Sequence, residues 1–526
     1  MIETEVVQSP GWWLRRMFNM LADRRRRTRL QLLLDYHRGH APLPQGAENA
    51  REAFEAFQRK ARSNFAELIV SVMSERMTPV GFRTALDDDA TGDAEVGSLW
   101  TRAGLDVSCA DVHDFMLAVG EAYVIVGPVD PDTGAPLVTC EDPRFMVADV
   151  DPANPRRVLA ALKVLHDDAA SEDRAYLFLP GEVHVAVRRS NATNVSSELR
   201  GGLASPGNGY QPRLGPILSF DPKGWEWSPD RSGALPHNRI PVVRFVNKYQ
   251  LGEFETHTDL LDRINHQILQ RMVIATMQAF RQRAVKGLPL LYPEGHPLAG
   301  QEVDYAKVFT ADPAALWQLP ESAEMWESSV NDLTPILSAV KDDLQHLAAV
   351  TRTPMHMLSP AGENQSAEGA SLSREGLVFK VEDRITRTSF PWAQVMSLML
   401  LHAGQADRAD LTKLQTIWAP ADRLSLSERA DAASKLKDVL PRRTLLIEVF
   451  RMTPAEADRT MTEITEEQLL AQQVQAAFAA QQPNQQPNQQ QVPGQENTGQ
   501  PGGTGGTGGK DIAGGSTSAP PGGGVS

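Results

Sequence analysis

The stretch TDLLDRINHQILQRMVIATMQAFRQR, residues 258–283, decides how the chain is built. It contains no Gly or Pro, and its apolar residues fall into two adjoining stripes. Leu261, Ile264, Ile268, Met272, Ala275 and Ala279 make one; Leu269, Val273, Thr276 and Phe280 make the other. Spacings of three and four put each stripe on one helical face. At 1.5 Å per residue such a helix is roughly 40 Å long. On its C-terminal side, residues 287–329 are punctuated by Pro and Gly, with short strands expected at 288–292 and 315–319. A second helix is expected over 332–350. Thr353-Pro354 then opens a loop rich in Ser, Gly and Asn. A third helix, 366–402, carries Pro391, where a kink is expected. A strand at 413–418 and helices over 425–470 follow.

Upstream of the deciding stretch, residues 14–34 read as an amphipathic helix carrying Arg24, Arg25, Arg26, Arg27 and Arg29. Tyr36-His37-Arg38-Gly39 stops it, with Pro42 and Pro44 beyond. A helix over 48–77 places Phe54, Phe57, Phe65, Leu68, Ile69 and Val72 near helical spacing, and Pro79 and Gly81 end it. The middle is β-rich, with strands at 123–126, 137–139, 145–147, 158–165, 175–179, 183–187 and 240–246. Their close spacing predicts antiparallel hairpins. A Gly/Ser/Asn-rich insert at 190–215 reads as a mobile loop. Residues 481–526 are almost entirely Gln, Asn, Pro, Gly, Ser and Thr, which cannot offset the entropy of ordering, so this tail is expected to be disordered.

Composition bounds the function. The chain has 526 residues, 41% hydrophobic and 22% charged, enough apolar mass for more than one core and for three or four domains. No stretch approaches the roughly 20 apolar residues of a membrane-spanning helix. Trp12, Trp13 and Leu14 run at once into Arg15 and Arg16, so no secretory signal is expected. Two cysteines, Cys109 and Cys140, exclude a disulfide framework and fit a reducing compartment. The formal net charge of −14 argues against a generic nucleic-acid coat but not against a protein that lets DNA pass without holding it.

Motifs for chemistry fail on inspection. There is no His-Glu-x-x-His, Gly-x-Ser-x-Gly or Cys-x-x-Cys. His37 and His40 have no third ligand in register. Asp87-Asp-Asp-Ala-Thr-Gly92 begins like a calcium loop, but Ser98 stands where a bidentate Glu is needed. Gly509-Lys510 resembles the end of a phosphate-binding loop, but Thr504 and Asp511 break the pattern. The sequons at Asn191 and Asn194 carry little meaning without a secretory signal.

The joint order of these pieces resembles the portal proteins of tailed bacteriophages of the siphophage type. The residues that carry the resemblance are Tyr36-His-Arg-Gly39; Asn64 and Arg76-Met-Thr-Pro-Val-Gly-Phe82; Glu141-Asp-Pro-Arg-Phe145, Asp149-Val-Asp-Pro152 and Leu159-Ala-Ala-Leu-Lys163; and, after Thr353-Pro354, Ser366-Ala-Glu-Gly-Ala370. It covers most of residues 14–470. It implies an α+β, multi-domain portal fold: a β-rich wing (1–256), a stem helix (257–286), a small α/β clip (287–330), a second stem helix (331–352), a tunnel loop (353–370), a long kinked helix with a wing strand (371–424), a helical crown (425–480) and the disordered tail (481–526).

The implied function is structural, with no catalysis and no cofactor or metal: a ring of 12 subunits at the unique capsid vertex, through which double-stranded DNA is packaged and ejected. Implied partners are the terminase large subunit, a head–tail connector or adaptor, and the major capsid and scaffold proteins, with no membrane. The implied channel residues are Ser359, Glu363, Asn364, Gln365 and Ser366 of the tunnel loop and Arg271, Arg281 and Lys286 of the stem. Leu290, Tyr292, Trp317 and Trp326 would serve clip docking.

The residues themselves leave alternatives open beside this. Two apolar stripes suit a head-to-tail ring, which gives every subunit a second neighbour, but also a helical domain folded on itself. Arg263, Arg271, Arg281, Arg283 and Lys286, set against Asp259 and Asp262, suit sparse phosphate contacts or a solvated face that pairs between subunits. The Arg24–Arg29 cluster, with Trp12, Trp13 and Phe18, suits a membrane-surface helix, a surface that meets capsid or scaffold protein, or a solvated face. The other functions weighed are a phage-encoded nuclease or protease with an unrecognised site and a membrane-surface scaffold.

Overall fold

The computed structural model describes residues 2–43, 57–87, 92–167, 169–189, 220–279, 283–305, 323–327, 332–359, 367–422, 426–450, 452 and 454–480. The chain divides into two units, Met1–Thr462 and Glu463–Ser526.

The first unit opens with α1 (Pro10–Leu21) and α2 (Arg24–His37). The single helix expected over 14–34 is thus two. Asp23 separates them because its carboxylate accepts from the Arg25 and Arg26 amides and caps α2. The helix expected over 48–77 is also interrupted. Within its described part, Asn64 accepts from the Glu67 amide and starts a fresh helix, α3 (Phe65–Ser74). Strand β1 (Pro79–Arg83) follows. Then come α4 (Ala94–Arg102) and α5 (Leu105–Val119), neither foreseen from the sequence. Helix α5 ends at Gly120, whose φ is +90° and whose Cβ, if present, would lie 2.3 Å from the Gln250 carbonyl oxygen.

The β-region forms two antiparallel sheets. Strands β2 (Glu121–Val129), β3 (Pro136–Glu141) and β10 (Val242–Val246) pair in the order β10-β2-β3. The larger sheet runs β4 (Met146–Asp151), β5 (Asn154–Asp167), β6 (Glu172–Leu179), β7 (Glu182–Arg189) and β8 (Glu226–Trp227), with β9 (Gly233–Ala234) also on β7. Side chains alternate between faces at every second residue, and that alternation builds the layers. Tyr123, Met146, Ala148, Ala161 and Phe178 fill the space between the sheets. Val147, Leu162, Val164, Ala175 and Leu177 face the other way and meet Leu14, Met17, Phe18 and Leu21 of α1. Each buried Val, Leu, Met or Phe among them stabilises the fold by roughly 1.5–3 kcal/mol. The buried stripe of α1, Leu14, Met17, Phe18 and Leu21, is therefore covered within the chain.

The opposite face of the small sheet, through Ala122, Val124, Val126, Val243 and Phe245, joins the largest core. That core gathers α2, α3, α5, the start of the deciding helix α6 (Thr258–Ala279) and later elements. Helix α6 ends earlier than expected, and Arg283–Lys286 is instead strand β11, paired antiparallel with β12 (Glu324–Glu327). Helix α7 (Thr334–Thr351), the short α8 (Met355–Leu358) and the 36-residue α9 (Ala367–His402) follow, α9 running through Pro391 as one element. Strand β13 (Gln415–Trp418) returns to pair with β1. Helices α10 (Leu426–Leu436), α11 (Arg442–Glu448) and α12 (Pro454–Ala480) close the described chain, α12 continuing into the second unit. The insert at 190–215, the strand expected at 315–319 and the tail at 481–526 lie outside the described residues.

Trp392 of α9 is the centre of the large core. It is fully buried, meets Trp100, Phe245 and His113 edge-on, and donates from Nε1 to His113 Nε2 at 2.9 Å. Trp392→Ala should cost about 3–5 kcal/mol through the cavity it leaves. Trp392→Phe should cost about 1–3 kcal/mol, because it strands the His113 acceptor. Denaturant unfolding of the two variants measures both, with alanine the worse.

Candidate functional site

The long helices and the segments between them are the part of the fold the sequence singles out. The start of α6 buries Leu261 and Ile264 in the large core, and Leu269 is buried further along. Beyond Leu269, no α6 side chain with a described environment is buried. In α7 only Asp343, Leu347 and Thr351 are buried, all in its second half. Both helices are thus anchored at one end, and their outer halves lead into the β11–β12 ladder.

A buried ionic junction sets that anchor. The Glu253 carboxylate, just before α6, lies 2.6 Å from Arg384 Nε and 2.8 Å from Lys380 Nζ, both on α9. The Asn247 amide adds a third donor at 2.9 Å. Lys380 also donates to the Thr351 carbonyl at the C-terminus of α7, 2.9 Å away, where a cation suits the helix dipole. One carboxylate and one ammonium thereby join three helices. Burial opposes ionisation of Glu253, but Lys380 and Arg384 outweigh it and hold the group below the ordinary carboxylate range. Burial pushes the Lys380 ammonium down, against the pull of Glu253.

Two further contacts fix α6. Arg263 grips Asp343 of α7 through two hydrogen bonds of 2.9 and 2.6 Å, and Gln267, one turn on, donates to the same carboxylate at 2.9 Å. Arg263 thus pairs within its own chain. The Tyr36 hydroxyl donates to Asp262 at 2.6 Å; burial and this carboxylate push the phenol upward, and burial raises Asp262. Asn64 donates to the His37 carbonyl at 3.0 Å and sits against Gly39, whose φ is +75°. The Tyr36–Gly39 motif and Asn64 therefore connect the N-terminal helices to α6.

The other singled-out residues are spread along this region. Arg271 is half-buried on α6, and Lys286 is exposed at the end of β11. Ser359 follows α8, its amide bonded to Met355. Leu290 is 81% exposed and Trp326, on β12, 57% exposed. Tyr292 stacks on His296 at 4.4 Å in a loop closed by bonds from Tyr292 N to Gln301 O and from Val303 N to Leu290 O. Leu290 and Tyr292 thus share one loop, and Trp326 lies on β12, the ladder strand that follows it in the chain. Arg281, Trp317, Glu363, Asn364, Gln365 and Ser366 lie outside the described residues. Sequence reading missed the Glu253 junction; the available signal was the i, i+4 spacing of Lys380 and Arg384 on a largely apolar helix.

Among the described residues no three His, Cys, Asp or Glu side chains group as metal ligands, and no helix is long and apolar enough to cross a membrane. Burial raises both thiols, Cys109 to about 11 and Cys140 further, which makes them poor nucleophiles.

The framework is thus a mixed helix-and-sheet fold with a helix pair anchored at one end. Residues 22–470 match the family described as "Phage portal protein, SPP1 Gp6-like", and the chain belongs to that family. It is similar to the portal protein of Mycobacterium phage D29, at 24% identity over 408 residues, 73% of this chain and 74% of that one. It is also similar to the portal protein of Mycobacterium phage L5, at 23% over 419 residues, 74% and 76% of the two chains. Its function is that of a phage portal, a component of the virion capsid and not an enzyme.

Glu253→Gln should cost about 3–5 kcal/mol at neutral pH, since it leaves the buried Lys380 ammonium with no carboxylate and Arg384 with only that of Asp383. The stabilisation from Glu253 is complete above the ordinary value near 4.5 and is lost as pH falls through its lower folded-state value. Unfolding curves of wild type and variant should therefore converge on acidification below that point.

Proposed function

We propose that the chain assembles as a closed ring, most simply a dodecamer, at one capsid vertex and passes double-stranded DNA through its bore. The observation that carries this reading is the family match over residues 22–470. The apolar surface left on the helices supports it. Leu337 and Val350 of α7 are 46% and 51% exposed, and Phe379 and Phe390 of α9 are 58% and 40% exposed. A neighbouring copy on each side covers such faces without leaving an open filament. The charge of −14 per subunit suits a bore in which phosphates are repelled more than they are held.

In this reading α6 and α7 are the stem, the segment from β11 through β12 is the clip, residues 353–370 are the tunnel loop, the β-sheets with their helices are the wing, and α10–α12 are the crown. Arg271, Arg281 and Lys286, with Ser359 and residues 363–366, face the bore. Leu290, Tyr292, Trp317 and Trp326 present apolar surface to the terminase large subunit during packaging and to a head–tail connector or adaptor afterwards. Major capsid and scaffold proteins meet the wing.

Negative-stain electron microscopy of the purified protein should show rings with a central hole wide enough for a duplex. Leu337→Asp and Phe379→Asp alter exposed positions, so each subunit should fold normally while the fraction in rings falls severalfold. Compact single particles in the wild type, at every concentration, would contradict the proposal.

A further inference from the structure

A cleft of about 870 Å³, lined by arginines, lies between α1, α2 and the start of β2. We propose that it binds an acidic peptide segment of a partner protein. The reading does not depend on the ring or its bore.

The floor of the cleft has more cations than anions. Arg26 and Arg244 share the carboxylate of Glu121, at 2.6 and 2.9 Å, and the Tyr123 hydroxyl also donates to it, at 2.9 Å. Glu121 is held below the ordinary carboxylate range: burial opposes ionisation, and the two guanidinium groups overcome it. With that acceptor in use, Arg26 Nη1 and Arg244 Nε, both buried, have no hydrogen-bond acceptor. A buried donor on a charged group left without an acceptor is costly, and a second carboxylate, brought in on a side chain, satisfies such donors in the fork geometry guanidinium favours.

The mouth repeats the charge. Arg15 pairs with Glu5, and the two are 52% and 83% exposed, so exchanging that partner costs little; Arg16 stays paired with Asp149, which is 13% exposed, and adds its charge to the mouth. The Arg25 guanidinium has no partner among the described residues. Trp12 supplies an apolar wall, with the Arg16 guanidinium 5.7 Å from its ring centre. The volume falls in the range of pockets that enclose a ligand of drug or short-peptide size. A carboxylate on a flexible side chain reaches a recessed floor. The phosphates of a duplex lie on a convex surface too broad to enter the cleft.

The test is fluorescence anisotropy on the full-length assembled protein at about 0.15 M salt. The probe is a labelled dodecapeptide of repeated Asp-Glu-Leu, with an Asn-Gln-Leu peptide and a single-stranded oligonucleotide of equal charge as comparisons. Saturable binding of the acidic peptide alone is expected. Arg25→Glu should weaken it roughly tenfold, and Arg15→Glu should weaken it further, with the thermal midpoint unchanged by these surface substitutions. Three results would overturn the proposal: no binding of the acidic peptide, affinity unaltered in the Arg15→Glu/Arg25→Glu double variant, or an oligonucleotide that binds as tightly as the peptide.

Discussion

One buried carboxylate holds the helical half of this molecule in place. Glu253 is taken out of water, a state that is tolerable only because Lys380 and Arg384 reach it from the same face of α9 and Asn247 adds a hydrogen bond. Lys380 then extends the junction to the end of α7. Because the pairing is buried, solvent screening does little to loosen it. The start of α6, the end of α7 and the middle of α9 are therefore fixed relative to one another, and through Trp392 they are fixed to the β-sheets. The junction therefore couples the position of α9 to those of α6 and α7.

The same constraint explains what is left unsatisfied. Helices α6 and α7 are buried where the junction and the Arg263–Asp343 pair grip them, and lose burial toward the β11–β12 ladder. Exposed apolar residues on α7 and α9 add to that surface. A helix pair held firmly at one end and apolar beyond it is suited to receive an identical neighbour, and the portal family supplies the context in which such neighbours close into a ring.

Much of this was legible in the sequence because it rests on local periodicity. The apolar runs at 123–126 and 158–165 and the alternation of 183–187 mark strands, the first two of which send alternate side chains into two different cores, and the stripes of 258–279 specify α6. Helix α5 was missed because buried residues surround it on most sides, which erases the amphipathic signal that identifies a surface helix; α4 carries that signal, with Val96, Leu99 and Trp100 buried, but over only nine residues. The break at Asp23 was missed because good helix formers flank it, Leu21-Ala22 before and Arg24–Arg27 after, although Asp is a preferred cap. The Glu253–Arg384 contact joins residues 131 apart in the chain and has no local signature. Arg263 read as a surface cation because its partner, Asp343, lies on another helix. Of the tunnel-loop positions, only Ser359 falls among the described residues.

Hydrogen–deuterium exchange, measured by mass spectrometry on the dissociated subunit and on the assembled protein, tests the central claim most directly. Amides around Glu253, the start of α6 and the end of α7 should be protected in both states. The outer halves of α6 and α7 should gain protection only on assembly. Outer halves already as protected in the isolated subunit as in the assembly would show that these helices satisfy themselves within one chain, and the account of the ring would fail.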